Sequence, residues 1–338
     1  MKKLSFLDSL VFILNSIAAS LLLGSYIIPY ISPKQIATVS VLSLGFPLLL
    51  IVNTLFLLYW LLKFKKQFLL SFIVILIGYQ HVYSFIKFTE EKIFLNDDIK
   101  IMSYNVRLLN QYKWSGDKEI ELKIHDFIAQ KDPDVISFQE FPKKGKQIKN
   151  YKYQYIKHNN KSSIGLTILS KYEIIKKGSL NFVNSGNNAV FADIVIRQDT
   201  IRFYNIHLQS LQIEKKEMNF DEYDAKELLF KFKKYFRIQA TQVEQLLAHE
   251  RKCTYKTILM GDFNNTAFSW VYKQIKNNKK DAFIEAGAGF GKSFDYIFPF
   301  RIDYILTDPE IKIHNFKTYN NLKYSDHYPI IARINLSK

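Results

Sequence analysis

Residues 256–264 read KTILMGDFN, and this stretch contains the pattern on which the fold prediction depends. An apolar run from Ile258 to Met260, typical of a buried strand, ends abruptly in Gly261, Asp262 and Asn264. Taken alone, such an ending is equally typical of a tight turn. The pattern becomes informative because several other apolar runs beyond residue 98 also end in one or two polar side chains.

The other endings of this kind are spread over more than 220 residues of sequence. A lone Glu after a strand is more often a helix cap or surface carboxylate, and a lone Asp-His pair is more often a local hydrogen bond. If the strands share sheets, however, their polar ends converge on one cleft. The stretches are Ser103-Tyr104-Asn105-Val106-Arg107, Phe138-Gln139-Glu140, Asn205-Ile206-His207-Leu208, Arg301-Ile302-Asp303-Tyr304 and Ser325-Asp326-His327-Tyr328-Pro329.

The elements predicted between these endings alternate short strands with helices. Apolar residues at helical spacing predict helices over 118–131, 223–250 and 268–277. Paired strands with helices between them favour an α/β fold in which two sheets pack face to face with helices outside. Strands are predicted over 99–106, 135–138, 164–170, 189–197, 201–208, 256–261, 301–306, 311–318 and 328–335.

The first third of the chain is far more apolar than the rest. Stretches at about 6–30, 38–62 and 68–86 each reach the roughly 20 residues that a membrane-crossing helix needs. Lys2 and Lys3 would also suit a signal peptide, with Ala18-Ala19-Ser20 as a cleavage site. Because the apolar run continues past that point and two further stretches follow, three uncleaved transmembrane helices are predicted.

These stretches divide the chain into a transmembrane region (1–88), a linker (89–98) and a domain of mixed composition (99–338). Lys2 and Lys3 precede the first span, and Lys63, Lys65 and Lys66 lie between the second and third. Since positive residues stay on the cytoplasmic side, the domain 99–338 is predicted outside the cytoplasm, on a multi-pass protein of the cell (inner) membrane.

Net charge and cysteine content restrict the partners only weakly. The whole chain carries +16, and residues 99–338 hold 39 of the 47 Lys and Arg but 26 of the 31 Asp and Glu. This excess favours nucleic acid or an acidic lipid surface, although a Lys-rich solvated surface explains it equally well. A single cysteine, Cys253, excludes an internal disulfide.

In this order, the six polar endings resemble those of the endonuclease/exonuclease/phosphatase superfamily, which includes DNase I-like and exonuclease III-like enzymes. The motifs S-x-N-V, Q-E, N-x-H, G-D-x-N, a D before a strand and S-D-H-x-P run from Ser103 to Pro329. The resemblance implies a four-layer αββα sandwich, here preceded by three transmembrane helices. It also implies a metal-dependent hydrolase of phosphoric esters.

Phosphoester hydrolysis suggests roles for the site residues. Asn105 and Glu140 supply the hard oxygen ligands that Mg²⁺ prefers, with Mn²⁺ as a possible substitute and Asp326 as a further ligand. The sequence has no Cys/His cluster with zinc spacing. His327 is the candidate general base. By resemblance, Asp303 orients its imidazole.

The remaining residues have less specific roles. Asp262 would orient the water or protonate the leaving oxygen, and Asn264 and His207 would donate hydrogen bonds to the phosphoryl group. Arg301 would approach the phosphate as a substrate-binding residue, or form a structural ion pair. Asn205 and Gln139 would support the site, or serve only the fold.

The substrate remains open among phosphate esters. A nuclease or other phosphodiesterase is favoured by the charge, and alternatives are a sphingomyelinase-like enzyme acting on a phospholipid head group or an inositol or sugar phosphate phosphatase. A non-catalytic binding module is disfavoured because Glu140, Asp262 and His327 are all present. Beyond substrate and lipid bilayer, no protein partner can be inferred.

Overall fold

A computed structural model describes residues 4–146, 148–159, 164–183, 185–211 and 225–337. Two mixed six-stranded sheets form the centre of residues 99–337, hereafter the α/β region. Residues 4–86, hereafter the apolar region, are helical.

The first sheet has the strand order β11-β12-β1-β2-β4-β3. Its central strands β1 and β2 are parallel, and β1 is antiparallel to β12 on its other side. The strands are β1 (Ile99–Asn105), β2 (Val135–Pro142), β3 (Tyr153–His158), β4 (Ile164–Ser170), β11 (Lys312–Thr318) and β12 (Ile330–Asn335).

The second sheet has the order β5-β6-β7-β8-β10-β9 and repeats this arrangement. A parallel pair, β7 and β8, lies between the antiparallel strands β6 and β10. Its strands are β5 (Glu173–Ser179), β6 (Asn188–Ile196), β7 (Asp199–His207), β8 (Lys256–Asp262), β9 (Lys280–Asp281) and β10 (Asp303–Thr307).

Three buried clusters define the layers. The facing sheets enclose one that includes Ile101, Ile168, Phe203 and Ile305. The second lies under α7 (Ala225–Glu250) and α8 (Trp270–Lys276), and the third under α6 (Ile120–Lys131). A short helix, α9 (Ala282–Ala286), precedes β10. This arrangement confirms the predicted αββα sandwich.

The sequence predicted most of these elements to within two or three residues and omitted β3, β5, β9 and α9. The omitted elements are short or lie at sheet edges, where a strand needs no strong apolar signal. In β3, the alternating Tyr153 and Tyr155 belong to an edge strand, and Tyr155 packs against the core between the sheets. Cys253 is a free, half-buried thiol.

The apolar region contains α1 (Phe6–Ser25), α2 (Ala37–Leu42), α3 (Phe46–Leu62), α4 (Phe68–Ile77) and α5 (Tyr79–Phe85). Two helical stretches, Phe6–Tyr30 and Ala37–Leu62, are long and apolar enough to cross a membrane. The third predicted span is interrupted, because α4 and α5 meet at an angle of 75°. Alone, the ten residues of α4 cover about 15 Å, half of a bilayer core.

The bend lies at Gly78, and Tyr26 explains it. The Tyr26 hydroxyl donates to the Val74 carbonyl at 2.9 Å, and its ring occupies the space where a Cβ of residue 78 would lie. Only glycine permits this approach, and the hydroxyl bonds a carbonyl at the end of α4. The third apolar stretch therefore consists of two helices joined at a sharp bend, and it forms a third span if the bent pair crosses the membrane together. The bend itself was not predicted, because hydropathy does not register a tertiary contact of this kind.

Polar side chains join α1, α3 and α4 of the apolar region. Asn15 donates to Ser71 at 2.6 Å and accepts from the Trp60 indole at 3.0 Å, while Asn53 donates to the Ala18 carbonyl at 3.0 Å. At one end, Asp8 bonds Lys63 at 2.6 Å. Such bonds between helices are a usual source of specificity in apolar surroundings.

The other end of the apolar region packs against the α/β region. Phe268, just before α8, stacks on Phe46 with ring centroids 4.0 Å apart. The Lys273 ammonium lies 4.1 Å from the centre of the Tyr30 ring. The connecting residues are bound as well, since the Glu91 carbonyl accepts from the Asn315 amide at 2.9 Å.

Candidate active site

Three polar residues of the second sheet lie side by side at the ends of neighbouring strands. His207 pairs with Asp262 in the register of β7 and β8, and Asp262 pairs with Asp303 in that of β8 and β10. Gly261 makes this approach possible, because it has φ of +142° and a Cβ there would lie 2.0 Å from the Ile206 carbonyl oxygen. The local sequence Gly-Asp thus positions Asp262 beside His207.

Residues at the strand ends of the first sheet lie opposite this group, on the other side of the cleft. Asn105 pairs with Gln139 at the ends of β1 and β2, and Glu140 follows directly. The Asn105 amide donates to Asp262 at 3.1 Å and to Glu140 at 3.4 Å, so it joins the two sheets. Glu140 has φ of +51°, a conformation that is costly for Glu and is often found at functional sites.

His327, which follows Asp326 just before β12, completes the cluster. Its Nδ1 lies 2.9 Å from Asp303 Oδ2, and its Nε2 lies 3.6 Å from Asp262 Oδ2. Burial alone would lower the pKa of His327, but the carboxylates of Asp303 and Asp262 outweigh it and raise the pKa well above its ordinary value. The Phe294 ring covers the imidazole, with centroids 5.0 Å apart.

The carboxylates of the cleft repel each other. Burial, opposed by His327 and reinforced by Asp303, raises the pKa of Asp262 to about 6. Partial burial and the nearby Asp326 also raise the pKa of Glu140 above its ordinary value. A site in which several carboxylates resist ionisation is suited to a cation that neutralises them.

Two atoms of these residues have no hydrogen-bond partner among the described residues: Nε2 of His207, which lies 3.5 Å from Asp262 Oδ2, and Oδ1 of Asp303. Both residues are almost fully buried, and burial lowers the pKa of His207. Its imidazole is therefore favoured in the neutral form, which has one N–H to donate. Buried polar atoms usually have partners, so these two are candidates for contact with substrate, water or ion.

Asn264 lies beside Asp262 but is engaged by the protein. Its amide donates to the Leu208 carbonyl at 3.0 Å and to Asp262 at 3.2 Å, and its backbone N–H donates to Asp262 at 2.8 Å. Its φ of +49° suits asparagine better than most residues. Asn264 thus holds the Asp262 carboxylate in place.

Gln139 and Asn205 form a buried link between the sheets. Gln139 donates to Asn205 at 2.7 Å, and Asn205 donates to the carbonyls of Phe138 and Thr167 at 2.8 and 2.9 Å. This network supports the strand ends beneath Asn105 and His207.

Arg301 is not brought to the cluster. Its buried guanidinium donates to Asp281 at 2.7 Å and lies over the rings of Phe283 and Tyr304. It also donates to the Ser84 carbonyl of α5 at 3.3 Å. The sequence left two roles open for Arg301, binding of the substrate phosphate and a structural ion pair. The structure shows the ion pair, with Asp281.

Residues without a sequence-based assignment also reach the site. Arg107 lies 3.3 Å from Asp326 and over the Trp114 ring. Ser325 donates to the Asn105 carbonyl at 2.8 Å, and Ser293 accepts from the backbone N–H of Asp303 at 3.0 Å. Arg107 and Ser325 lie inside the motifs quoted from the sequence, so their presence at the site could have been predicted. Ser293 lies outside these motifs, and nothing in the sequence indicates that it reaches the site.

Among the described residues, one group of His, Cys, Asp and Glu side chains is close enough to hold a metal ion. Its members are Asp262, Asp303 and His327, whose ligand atoms lie within 4.8 Å of one another. This group differs from the predicted ligands Asn105, Glu140 and Asp326. The cluster as a whole offers carboxylate oxygens, which suit a divalent cation.

The chain belongs to the Endonuclease/Exonuclease/phosphatase family, whose sequence profile matches residues 102–327. This confirms the resemblance drawn from the motifs. A second profile, described as a domain of unknown function, matches residues 8–85. A search of curated proteins gives no match.

Solved structures of this family share the fold at low sequence identity. The human Nocturnin catalytic domain, with a bound sulfate anion, is 14% identical, with a TM-score of 0.56 over 75% of this chain and 98% of that one. A mannosyl-6-phosphatase from Bacteroides thetaiotaomicron is 17% identical, with a TM-score of 0.52 over 70% and 99%. D. rerio TDP2, complexed with a single-strand DNA product, is 15% identical, with a TM-score of 0.53 over 71% and 100%.

Family membership together with the cluster of His327, Asp303 and Asp262 identifies the chain as a hydrolase of phosphate esters. Enzymes of this family typically depend on a divalent metal, and the acidic cleft fits that requirement.

Proposed function

We propose that the chain is a membrane-tethered, Mg²⁺-dependent phosphodiesterase in which His327 activates the attacking water. The observation that carries this proposal is that the His327 imidazole lies between the carboxylates of Asp303 and Asp262. Asp303 holds Nδ1 of the imidazole at 2.9 Å, so Nε2 faces the cleft and Asp262. A histidine bonded on one side by a carboxylate and open on the other is the arrangement of a general base. A bound divalent cation would offset the carboxylate charge that raises the pKa of His327, and so would favour the neutral imidazole that this role requires.

The proposed reaction assigns one proton transfer to each side of the phosphorus. His327 Nε2 removes a proton from water, the water oxygen bonds to phosphorus, and the bond from phosphorus to the leaving oxygen breaks. The leaving oxygen receives a proton, and Asp262 is suited to hold one because its pKa is raised to about 6. His207, with its unpartnered Nε2, donates to the phosphoryl oxygens as negative charge develops.

Asn105, Glu140 and Asp326 are proposed to hold the metal ion. Asp303 and His327 already bond each other, which makes the closely spaced Asp262–Asp303–His327 group less suitable. Glu140 is partly exposed and repelled by Asp326, and Asn105 Oδ1 accepts a single bond of 3.1 Å, from the Arg107 N–H. A bound Mg²⁺ would supply charge neutralisation at the phosphoryl oxygens.

The membrane assignment rests on the two long apolar stretches and on where their ends lie. Asp8 and Lys63 meet at one end of the helices, and Tyr30 and Phe46 contact the α/β region at the other. Lys63, Lys65 and Lys66 therefore lie at the end away from the cleft, and the positive-inside rule puts that end in the cytoplasm. We accordingly retain the division into 1–88, 89–98 and 99–338, with the catalytic domain outside.

A phosphodiester is proposed over a monoester because the excess of positive charge favours polyanionic partners such as nucleic acid or an acidic lipid surface, whose phosphates are mostly diesters. A mannosyl-6-phosphatase and TDP2 with a DNA product have similar folds, so the fold is compatible with substrates that are phosphate monoesters and with substrates that are phosphodiesters. Nucleic acid and phospholipid head groups are both candidates at this level.

The test is hydrolysis by the purified full-length protein in detergent, with bis-p-nitrophenyl phosphate, p-nitrophenyl phosphate, DNA and RNA. We expect diester hydrolysis that disappears with EDTA and returns with Mg²⁺ or Mn²⁺. Glu140→Gln should raise the Mg²⁺ concentration needed for half-maximal rate, whereas His327→Gln should remove activity at every concentration. Equal Mg²⁺ dependence in Glu140→Gln and the unmodified chain would contradict the metal assignment.

The topology has its own measurement. A reporter that is active only in the cytoplasm, fused after Lys338, should be inactive, and the same reporter fused after Lys66 should be active. The opposite pattern would overturn the orientation without touching the chemistry.

A further inference from the structure

The cleft lies next to the end of the apolar region that contacts the α/β region. The segment following Asp262 and Asn264 leads to Phe268, which stacks on Phe46. The segment preceding Asp303 contains Arg301, which donates to the Ser84 carbonyl. Two of the loops that carry active-site residues therefore touch the membrane helices directly.

This end of the helices has the composition of a membrane–water boundary. The short helix α5 turns 75° away from α4, and its Tyr79 and Tyr83 are about half exposed. Tyr30, at the end of the first span, is also exposed. Tyrosine is enriched at membrane interfaces, where its ring and hydroxyl contact apolar and polar layers together.

A run of aromatic residues connects this boundary with the catalytic histidine. Residues 294–300 read FDYIFPF, hereafter the aromatic loop. At its beginning Phe294 covers His327, and at its end Phe300 lines a small cavity with Pro47 and Phe85 of the apolar region. Between them Ile297 is 87% exposed and is flanked in sequence by Tyr296 and Phe298, so the loop has an apolar residue at its most exposed point.

The distances bring the reacting groups close to the bilayer surface. Asp303 is two residues from Arg301, so their Cα atoms are at most about 7 Å apart. Adding an extended arginine side chain and its 3.3 Å bond to Ser84 puts Asp303 within roughly 17 Å of α5. The head-group layer is about 6 Å thick, so a lipid must rise partly out of the layer, or carry a head group that extends beyond it, to reach the cleft.

Cations surround the same boundary. Lys273 lies over Tyr30, and Lys87 lies over Tyr83. Lys292 precedes the aromatic loop and lies 5.9 Å from the Tyr328 ring, next to His327. Lysines close to a membrane surface attract anionic lipids.

We propose that the aromatic loop enters the head-group layer of the bilayer that holds the helices, and that the cleft takes a phosphodiester carried on a lipid. This inference rests on the proposed function and names its substrate class. Water adds to the lipid phosphorus, one P–O ester bond breaks, and the products are a phosphate monoester and an alcohol. A long nucleic acid would instead have to pass between the aromatic loop and the bilayer.

The first test uses the full-length protein in nanodiscs that contain sphingomyelin, phosphatidylglycerol or phosphatidylinositol, beside soluble bis-p-nitrophenyl phosphate. We compare the unmodified chain with Ile297→Glu and with Leu122→Glu. Leu122 is 54% exposed on α6, in the outer layer of the sandwich that covers the first sheet, and is the matched control. Both sites tolerate a charge in water, so neither variant should disturb the fold.

We expect hydrolysis of at least one lipid, lowered about tenfold by Ile297→Glu because a charge opposes entry into the head-group layer. Leu122→Glu should leave it unchanged, and both variants should hydrolyse the soluble diester normally. Soluble hydrolysis without cleavage of any of the three lipids, or equal lipid cleavage by Ile297→Glu, would overturn the inference. Absence of soluble hydrolysis would instead overturn the proposed function.

A second measurement locates the loop independently of turnover. In a Cys253→Ser background, an environment-sensitive fluorophore is attached to Ile297→Cys or Leu122→Cys in nanodiscs containing spin-labelled lipid. Residue 297 should show a blue-shifted emission and strong quenching, and residue 122 should show neither. Equal quenching at the two positions would show that the loop stays in water.

Discussion

Two histidine–aspartate pairs, one inside the α/β region and one at its boundary with the linker, have nearly the same geometry and opposite surroundings. His327 lies 2.9 Å from Asp303, and His314, on β11, lies 2.8 Å from Asp98, the residue before β1. Distance alone therefore does not distinguish a catalytic pair from a structural one. The distinction comes from the groups around each pair.

Asp98 is surrounded by donors. The Leu95 backbone N–H donates to it at 3.0 Å, the Asn335 amide at 3.1 Å and the Arg333 guanidinium at 3.3 Å. Burial would raise the pKa of Asp98, but these bonds and His314 outweigh it and lower the pKa. A carboxylate with this many donors stabilises the joint between the linker and the sheet, and it has little capacity left for a ligand.

The Asp303 pair is surrounded by acceptors and unpartnered atoms. Asp303 Oδ1 has no partner among the described residues, and His327 Nε2 faces the Asp262 carboxylate. The protein leaves these groups incompletely satisfied, at a cost in stability, and substrate and ion can complete the arrangement. The comparison teaches that incomplete hydrogen bonding of the pair, more than the distance between its two residues, indicates a functional site.

The largest expected effect separates the two histidines. His327→Gln should lower diester hydrolysis about 10⁴-fold because the general base is lost, and His314→Gln should change it less than threefold. Thermal unfolding should rank the variants the other way, with His314→Gln less stable than His327→Gln. Comparable activity losses in the two variants would remove the functional distinction between the pairs.

The two aspartates should differ next. Asp303→Asn is expected to lower kcat about 10³-fold, since the amide can favour the wrong imidazole tautomer while preserving shape. Asp98→Asn should leave kcat within a factor of two. Steady-state kinetics on both variants decide the matter, and an intact kcat in Asp303→Asn would contradict the orienting role.

A smaller effect is expected for His207, which has an unpartnered Nε2 and belongs to neither pair. His207→Phe should lower kcat about 10²-fold by removing one donor to the developing charge, with KM much less affected. An effect confined to KM would instead assign His207 to binding of the substrate ground state.

The smallest effect concerns stability and its pH dependence at Asp98. The pKa of Asp98 is lower in the folded state than in the unfolded state. Its contribution to the free energy of unfolding is therefore complete above the unfolded-state pKa of about 4 and is lost as the pH falls through the folded-state pKa. Asp98→Asn should therefore cost about 2 kcal/mol at pH 7, and the difference should shrink below pH 4. Thermal unfolding of the full chain in detergent measures both, and a constant difference from pH 7 to pH 3 would contradict this account.

Much of the α/β region could be predicted from the sequence because apolar periodicity and motif order are local signals. The buried runs that end in Asn105, Glu140, His207 and Asp262 predicted both the sandwich and the convergence of polar residues. The first two apolar stretches were also predicted well, because length and hydropathy suffice to define such helices.

Tertiary structure alone decided the features that depend on contacts between distant residues. The Gly78 bend requires Tyr26, the structural role of Arg301 requires Asp281, and the proximity of the aromatic loop to the helix ends requires the complete fold. By itself, the sequence determined which residues are capable of phosphoester chemistry. Which of them remain incompletely bonded was decided by packing, because hydrogen-bond partners and burial are properties of neighbours in space.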